Sequence, residues 1–221
     1  GLTANGKVFC WGFDSYGQLG NNEEIMDKYA PTLVPLPLGV SSFTSVVAGK
    51  YHSCALSDGG KVFCWGRDNN GQLGNDVQLL SKPTPQPINM TNYGNEIFQK
   101  IYSGDYHTCG ITQSGNSYCW GDNYYSELAT VDENNPLFID QPIPKQVNKN
   151  LFGGQNLNYL ILGGEFSCGF TQDQTLFCWG RGNEGQLGNG SISPLEYKPV
   201  RVNVTPLEGE NFIPSSFDAG L

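Results

Sequence analysis

The sequence predicts an all-β chain, a β-propeller of four-stranded antiparallel blades with about four blades present. Three observations carry that prediction. The first is composition. The 221 residues include 29 Gly and 13 Pro but only 15% charged residues, so the chain lacks the Ala, Glu, Lys and Leu of long helices. Its 12% aromatic content supplies an ordered core. The second is repetition. All 4 tryptophans fall in one motif, Phe9-Cys10-Trp11-Gly12, Phe63-Cys64-Trp65-Gly66, Tyr118-Cys119-Trp120-Gly121 and Phe177-Cys178-Trp179-Gly180, at steps of 54, 55 and 59 residues. The third is local pattern: short aromatic and β-branched runs alternate with Gly-rich turns, as in propeller blades.

The repeat divides residues 1–221 into units of about 1–54, 55–109, 110–168 and 169–221. In the second unit, strands are expected at 43–47, 52–56, 61–65 and 84–88. A turn motif opens the second strand, with Gly49-Lys50-Tyr51-His52-Ser53-Cys54 matched by Gly104-Asp105-Tyr106-His107-Thr108-Cys109 and Gly163-Gly164-Glu165-Phe166-Ser167-Cys168. His52 and His107 are the only histidines, and their equivalent positions are expected to bond the blade backbone rather than converge on a metal. The third strand carries the tryptophan, with ring and neighbouring sulfur on opposite sides. A loop follows with Gly17-Gln18-Leu19-Gly20, Gly71-Gln72-Leu73-Gly74 and Gly185-Gln186-Leu187-Gly188; the third unit departs with Ser126-Glu127-Leu128-Ala129. Its glycines suit positive φ or close backbone approach, its leucine a plug between blades, and its glutamine the satisfaction of buried backbone groups. Asp14-Ser15-Tyr16-Gly17 and Asp68-Asn69-Asn70-Gly71 lack the spacing and terminal Glu of calcium loops and read as Asx turns.

This set of motifs resembles the regulator-of-chromosome-condensation repeat, over nearly the whole chain. The resemblance implies a seven-bladed propeller, which at this repeat length needs about 380 residues. The chain is therefore expected to be part of a ring, closed by other residues or by another chain, with blade one not packed on blade four.

Seven cysteines form three pairs ten apart, Cys54 and Cys64, Cys109 and Cys119, Cys168 and Cys178, and leave Cys10 over. Cys10 would pair with a residue before Gly1, which points to a fragment. A three-residue hairpin loop at 58–60, with Gly60 left-handed, sets Ser57 opposite Lys61 and Cys54 opposite Cys64 in a non-hydrogen-bonded pair. Gly6 and Gly115 match Gly60, while Gln174 in the fourth unit weakens the loop assignment there. Such pairs lie close enough for disulfides. The alternatives are reduced thiols packed as small hydrophobes and zinc, whose CxxC spacing is absent. Intracellular members of the resembled family often keep one of the two cysteines alone. Every complete hairpin here carries both, so disulfides are expected and with them an extracellular or secretory-lumen setting; cytoplasm or nucleus is the alternative. Sequons at Asn89, Asn189 and Asn203 permit glycosylation without arguing for it.

The net charge of −9 opposes nucleic-acid binding. No apolar run is long enough to insert in a membrane. No phosphate-cradling loop, metal ligand set, cofactor site or catalytic constellation stands out, so no enzyme is expected. The functional expectation is a scaffold that binds other protein chains. The resemblance offers a guanine-nucleotide exchange factor as the alternative, and a secreted enzyme inhibitor remains open. The loop 124–139, in the unit that loses Gly-Gln-Leu-Gly, carries Tyr124, Tyr125, Leu137 and Phe138 among acids and is the expected contact patch.

Overall fold

A computed structural model describes residues 1–23, 25–77, 80–94, 96–130, 138–204 and 213–216. Strands β1 (Phe9–Gly12) and β2 (Lys28–Leu33) form a two-stranded sheet, with an isolated bridge between Leu2 and Val8 beside it. Three four-stranded antiparallel sheets follow in chain order. The second blade is β3 (Phe43–Ala48), β4 (His52–Ser57), β5 (Val62–Gly66) and β6 (Lys82–Pro87). The third is β7 (Phe98–Ser103), β8 (His107–Thr112), β9 (Ser117–Gly121) and β10 (Gln141–Gln146). The fourth is β11 (Leu157–Leu162), β12 (Phe166–Thr171), β13 (Leu176–Gly182) and β14 (Ser193–Arg201). The sequence units run out of phase with these sheets: the boundaries after Cys54, Cys109 and Cys168 fall inside β4, β8 and β12.

Strand character follows position. The central strands β4 and β5 are buried throughout and so carry no polar alternation. The outer strands tolerate proline, as in Lys82-Pro83-Thr84-Pro85-Gln86-Pro87, because the outward N–H of an edge strand has no ladder partner to lose. Those prolines also blunt the edge against pairing with another chain.

The core lies between sheets rather than within them. Cys54, Cys64, Leu73, Tyr118 and Trp120 pack together between the second and third blades. Cys109, Cys119, Leu128, Phe152 and Trp179 do so between the third and fourth. Val8, Phe63 and Trp65, with half-buried Cys10, fill the junction of the first and second. Each junction therefore combines the cysteine side of one blade with the tryptophan side of the next, as alternation along the third strand requires.

The hairpin register is the expected one. Cys54 pairs with Cys64, Cys109 with Cys119 and Cys168 with Cys178 in the strand ladders. The three pairs are bonded, with Cα atoms 4.1, 4.1 and 4.0 Å apart. Cys10 is free, and burial raises its thiol pKa. The fourth hairpin uses the same turn as the others, because Gln174 accepts φ +64° where Gly60 has +71°, and its N–H bonds the Thr171 carbonyl at 3.0 Å. The side chain did not prevent the loop.

Candidate interaction face

The loops between third and fourth strands clasp each blade to its successor. The Gln72 carbonyl accepts from the Trp120 indole at 3.0 Å and from the Thr108 hydroxyl at 3.3 Å. The Gln18 carbonyl serves Trp65 and Ser53, both at 2.9 Å. The Glu127 carbonyl serves Trp179 and Ser167, both at 2.8 Å. The recurring contact is thus made by the main chain of this position. Its side chain stays in its own loop, where Gln72 Oε1 accepts from the Asn70 N–H at 2.9 Å. An added Cβ on Gly74 would stand 2.8 Å from the Trp120 nitrogen, and its φ is +67°, so glycine lets the ring reach the carbonyl.

The histidines extend the clasp. His52 Nε2 lies 2.8 Å from Thr108 Oγ1, and His107 Nε2 lies 2.9 Å from Ser167 Oγ. Each hydroxyl gives its one proton to a carbonyl, so each imidazole donates through Nε2. The partner is a hydroxyl of the next blade rather than backbone. Both rings are fully buried, and burial lowers their pKa values to about 4 for His52 and about 3 for His107, the latter helped by His52. They are neutral structural donors.

Asp14 and Asp68 do not form the expected Asx turns. Their carboxylates reach five residues along to the N–H of Leu19 and Leu73, at 2.9 and 3.0 Å. Burial pushes Asp68 up to about 7.

These clasps align one end of all the sheets. That end carries the turns opening β4, β8 and β12 and the loops following the tryptophan strands. Successive turns touch through main chain: the Lys50 N–H bonds the Asp105 carbonyl at 3.1 Å, and the Asp105 N–H bonds the Gly163 carbonyl at 3.3 Å. The rings of Tyr16 and Tyr51 lie 5.2 Å apart and those of Tyr51 and Tyr106 lie 6.3 Å apart. The Arg67 guanidinium stands 5.4, 5.6 and 5.8 Å from Tyr16, Tyr51 and Tyr106. Lys50 lies 5.4 Å from the Tyr106 ring and 3.7 Å from Asp105; the Tyr106 hydroxyl, then Asp105, raises its pKa.

The third-unit loop lies at the same end. Tyr124 is 68% exposed and Phe138 is 41% exposed. Tyr125 is half-buried, 4.9 Å from Tyr124, with Arg181 5.8 Å from its ring centre. Leu137 lies outside the described residues. The loop is tied at its base by Asp140, which accepts from the Asn123 N–H and from Asn70 of the preceding blade, each at 3.1 Å. Glu127, replacing the repeated glutamine, is fully buried; burial, then Asp122, raises its carboxyl to about 8.

Beside the fourth blade, a cavity of about 630 Å³ opens between Lys50, Asp105, Tyr106, Glu165 and Arg181 of this end and the apolar wall of Leu176, Leu187, Val202 and the Cys168–Cys178 bond. Among the described residues no group of three or more His, Cys, Asp or Glu side chains is placed to hold a metal, and no helix is long and apolar enough to cross a membrane. Asn89 and Asn189 are half-buried, each accepting from the N–H two residues on; Asn203 is exposed, and its sequon partner Thr205 lies outside the described residues. Sequence reasoning missed the tyrosine–arginine cluster. The signal was present in Tyr51 and Tyr106, which precede both histidines.

Comparison with known proteins gives a consistent picture. The family profile described as "Regulator of chromosome condensation (RCC1) repeat" matches residues 5–56, 59–111 and 173–213, and a second profile of the same description matches 43–72 and 98–127. The human "Probable E3 ubiquitin-protein ligase HERC6" is 33% identical over 183 residues, 83% of this chain and 17% of that protein. "Protein pim1" of Schizosaccharomyces pombe is 28% identical over 208 residues, 86% of this chain and 36% of that protein. Among solved structures, human WBSCR16 superposes with a TM-score of 0.79 at 22% identity, covering 92% of this chain and 50% of that one. Prp20p of Saccharomyces cerevisiae, described with its binding properties to Gsp1p and histones, gives 0.77 at 24% identity, covering 95% and 49%. The chain thus spans about half of these propellers and a smaller share of the curated relatives.

Proposed function

Because the chain belongs to the regulator of chromosome condensation (RCC1) repeat family, we propose that it is a protein-interaction propeller presenting its loop-bearing face to other protein chains. The carrying observation is the gathering of tyrosines, two arginines and the exposed Tyr124 and Phe138 at one end of the sheets. Aromatic and Arg side chains anchor interfaces because they bury much area at low entropic cost. The described binding of Prp20p to Gsp1p and histones supports a protein partner for this fold.

The finer reading is a scaffold in an oxidising compartment, supported by three bonded hairpins. Guanine-nucleotide exchange, suggested by the repeat family, is the alternative. Photo-reactive residues placed in cells at Tyr124 and at Phe13, an exposed side chain beside Tyr51, with Asp58 at the opposite end as control, test the reading. Adducts to protein are expected from the first two and not from Asp58. Equal adducts from all three, or none, reject it. Accelerated nucleotide release from a small GTPase by the chain alone would favour the alternative, and fully alkylatable hairpin thiols in protein from its native source would reject the oxidising compartment.

A further inference from the structure

The repeat places Arg67 and Arg181 at equivalent positions with different company. Arg181 has its charge answered: it bonds Glu165 and lies 3.2 Å from Glu184, and these carboxylates raise its pKa. Arg67 occupies the same step two junctions earlier, beneath Tyr16 as Arg181 lies beneath Tyr125. The position of Glu165 is there taken by Tyr51, which offers a ring face and no charge. Among the described residues Arg67 has no ion pair, and its buried Nε has no hydrogen-bond partner. The neighbouring cation, Lys50, is already opposite Asp105.

We propose that Arg67, framed by Tyr16, Tyr51 and Tyr106, receives a carboxylate from an acidic segment of a partner protein. The inference rests on the interaction reading above and names its chemistry. The fourth blade shows how the fork is filled when the carboxylate is supplied in cis; at Arg67 it comes from outside. A guanidinium held against rings is restricted before binding, loses little freedom on pairing, and takes a carboxylate through parallel N–H donors. The chain's −9 charge does not prevent this at physiological salt, where charges more than about 8 Å apart are largely screened. Half-exposed Phe13, 6.2 Å from Tyr51, adds an apolar contact beside the charge.

The test is fluorescence anisotropy of a labelled peptide rich in Asp and Glu, its Asn and Gln counterpart, and a single-stranded oligonucleotide. The acidic peptide is expected to bind about tenfold or more tighter than the amide peptide, and to weaken as salt rises. Arg67→Ala loses that difference. Tyr51→Glu supplies the Glu165 arrangement in cis and also loses it; its unchanged thermal midpoint separates lost binding from lost fold. Equal affinity for both peptides, full binding by Tyr51→Glu, or preference for the oligonucleotide overturns the proposal. Face-specific adducts at Tyr124 without acidic-peptide binding reject this inference alone. Absence of face-specific adducts rejects the interaction reading itself.

Discussion

Replacing Glu127 with glutamine restores the residue found at this step in the other three units, and the expected result is a more stable chain whose gain grows with pH. Glu127 Oε2 accepts from the Tyr125 N–H at 2.8 Å, and Oε1 is buried without a partner. Gln72 holds the Asn70 N–H in the same way, and its Nε2 is likewise unpartnered. The substitution therefore keeps the one hydrogen bond and changes chiefly the ability to ionise. The carboxyl titrates near 4.5 in the unfolded chain and near 8 when folded. Between those values the folded state retains a proton that the unfolded state has released, so stability falls as pH rises. At ~1.36 kcal/mol per pH unit the ceiling at pH 8 is about 5 kcal/mol. Rearrangement around the buried group, which raises the effective dielectric, brings the expected gain to about 2–3 kcal/mol. Urea unfolding of both proteins from pH 4.5 to 8.5 measures it. The difference should be near zero at pH 4.5 and level off above pH 8. A difference that does not change with pH, or a variant less stable at pH 8, would refute the reasoning.

Three further outcomes are expected. On acidification, His52 and His107 act in the opposite direction: their unfolded imidazoles protonate near 6.5 while the folded ones wait until about 4 and 3, so stability present above pH 6.5 is lost as pH falls toward 4. His52→Gln should remove part of that loss, about 3 kcal/mol at full protonation, as read from unfolding midpoints in acid. Ala129 holds φ +49° at the position of Gly74, so Ala129→Gly should raise stability by up to about 1 kcal/mol by thermal denaturation, relief of strain outweighing the added chain freedom. Trp120→Phe keeps a six-membered aromatic ring but removes the N–H donor to the Gln72 carbonyl and leaves part of the buried indole space empty; the lost bond alone should cost about 1–3 kcal/mol, with the cavity adding to it, and an unchanged denaturant midpoint would dismiss the clasp as a stabilising contact.

Fold class, unit length and hairpin register were legible in the amino-acid sequence because they are local or periodic. The period of Phe63-Cys64-Trp65-Gly66 and its copies set the blade count. The two-residue alternation of a strand, with a left-handed third loop residue, placed Cys54 against Cys64 without knowledge of anything distant. Even Gln174, which lacks the freedom of glycine, kept the turn, since the strands on either side hold it. The sequence placed Leu73 and Leu128 between blades but could not disclose the polar contacts between units. That the carbonyl rather than the side chain of Gln72 joins the blades, that His52 donates to Thr108 a blade away, and that Arg67 and Arg181 share a position but not a partner depend on how one sheet stacks on the next. Stacking is decided by side-chain packing over residues about fifty apart. A repeat pattern registers that such neighbours exist, but only tertiary structure selects which atoms meet.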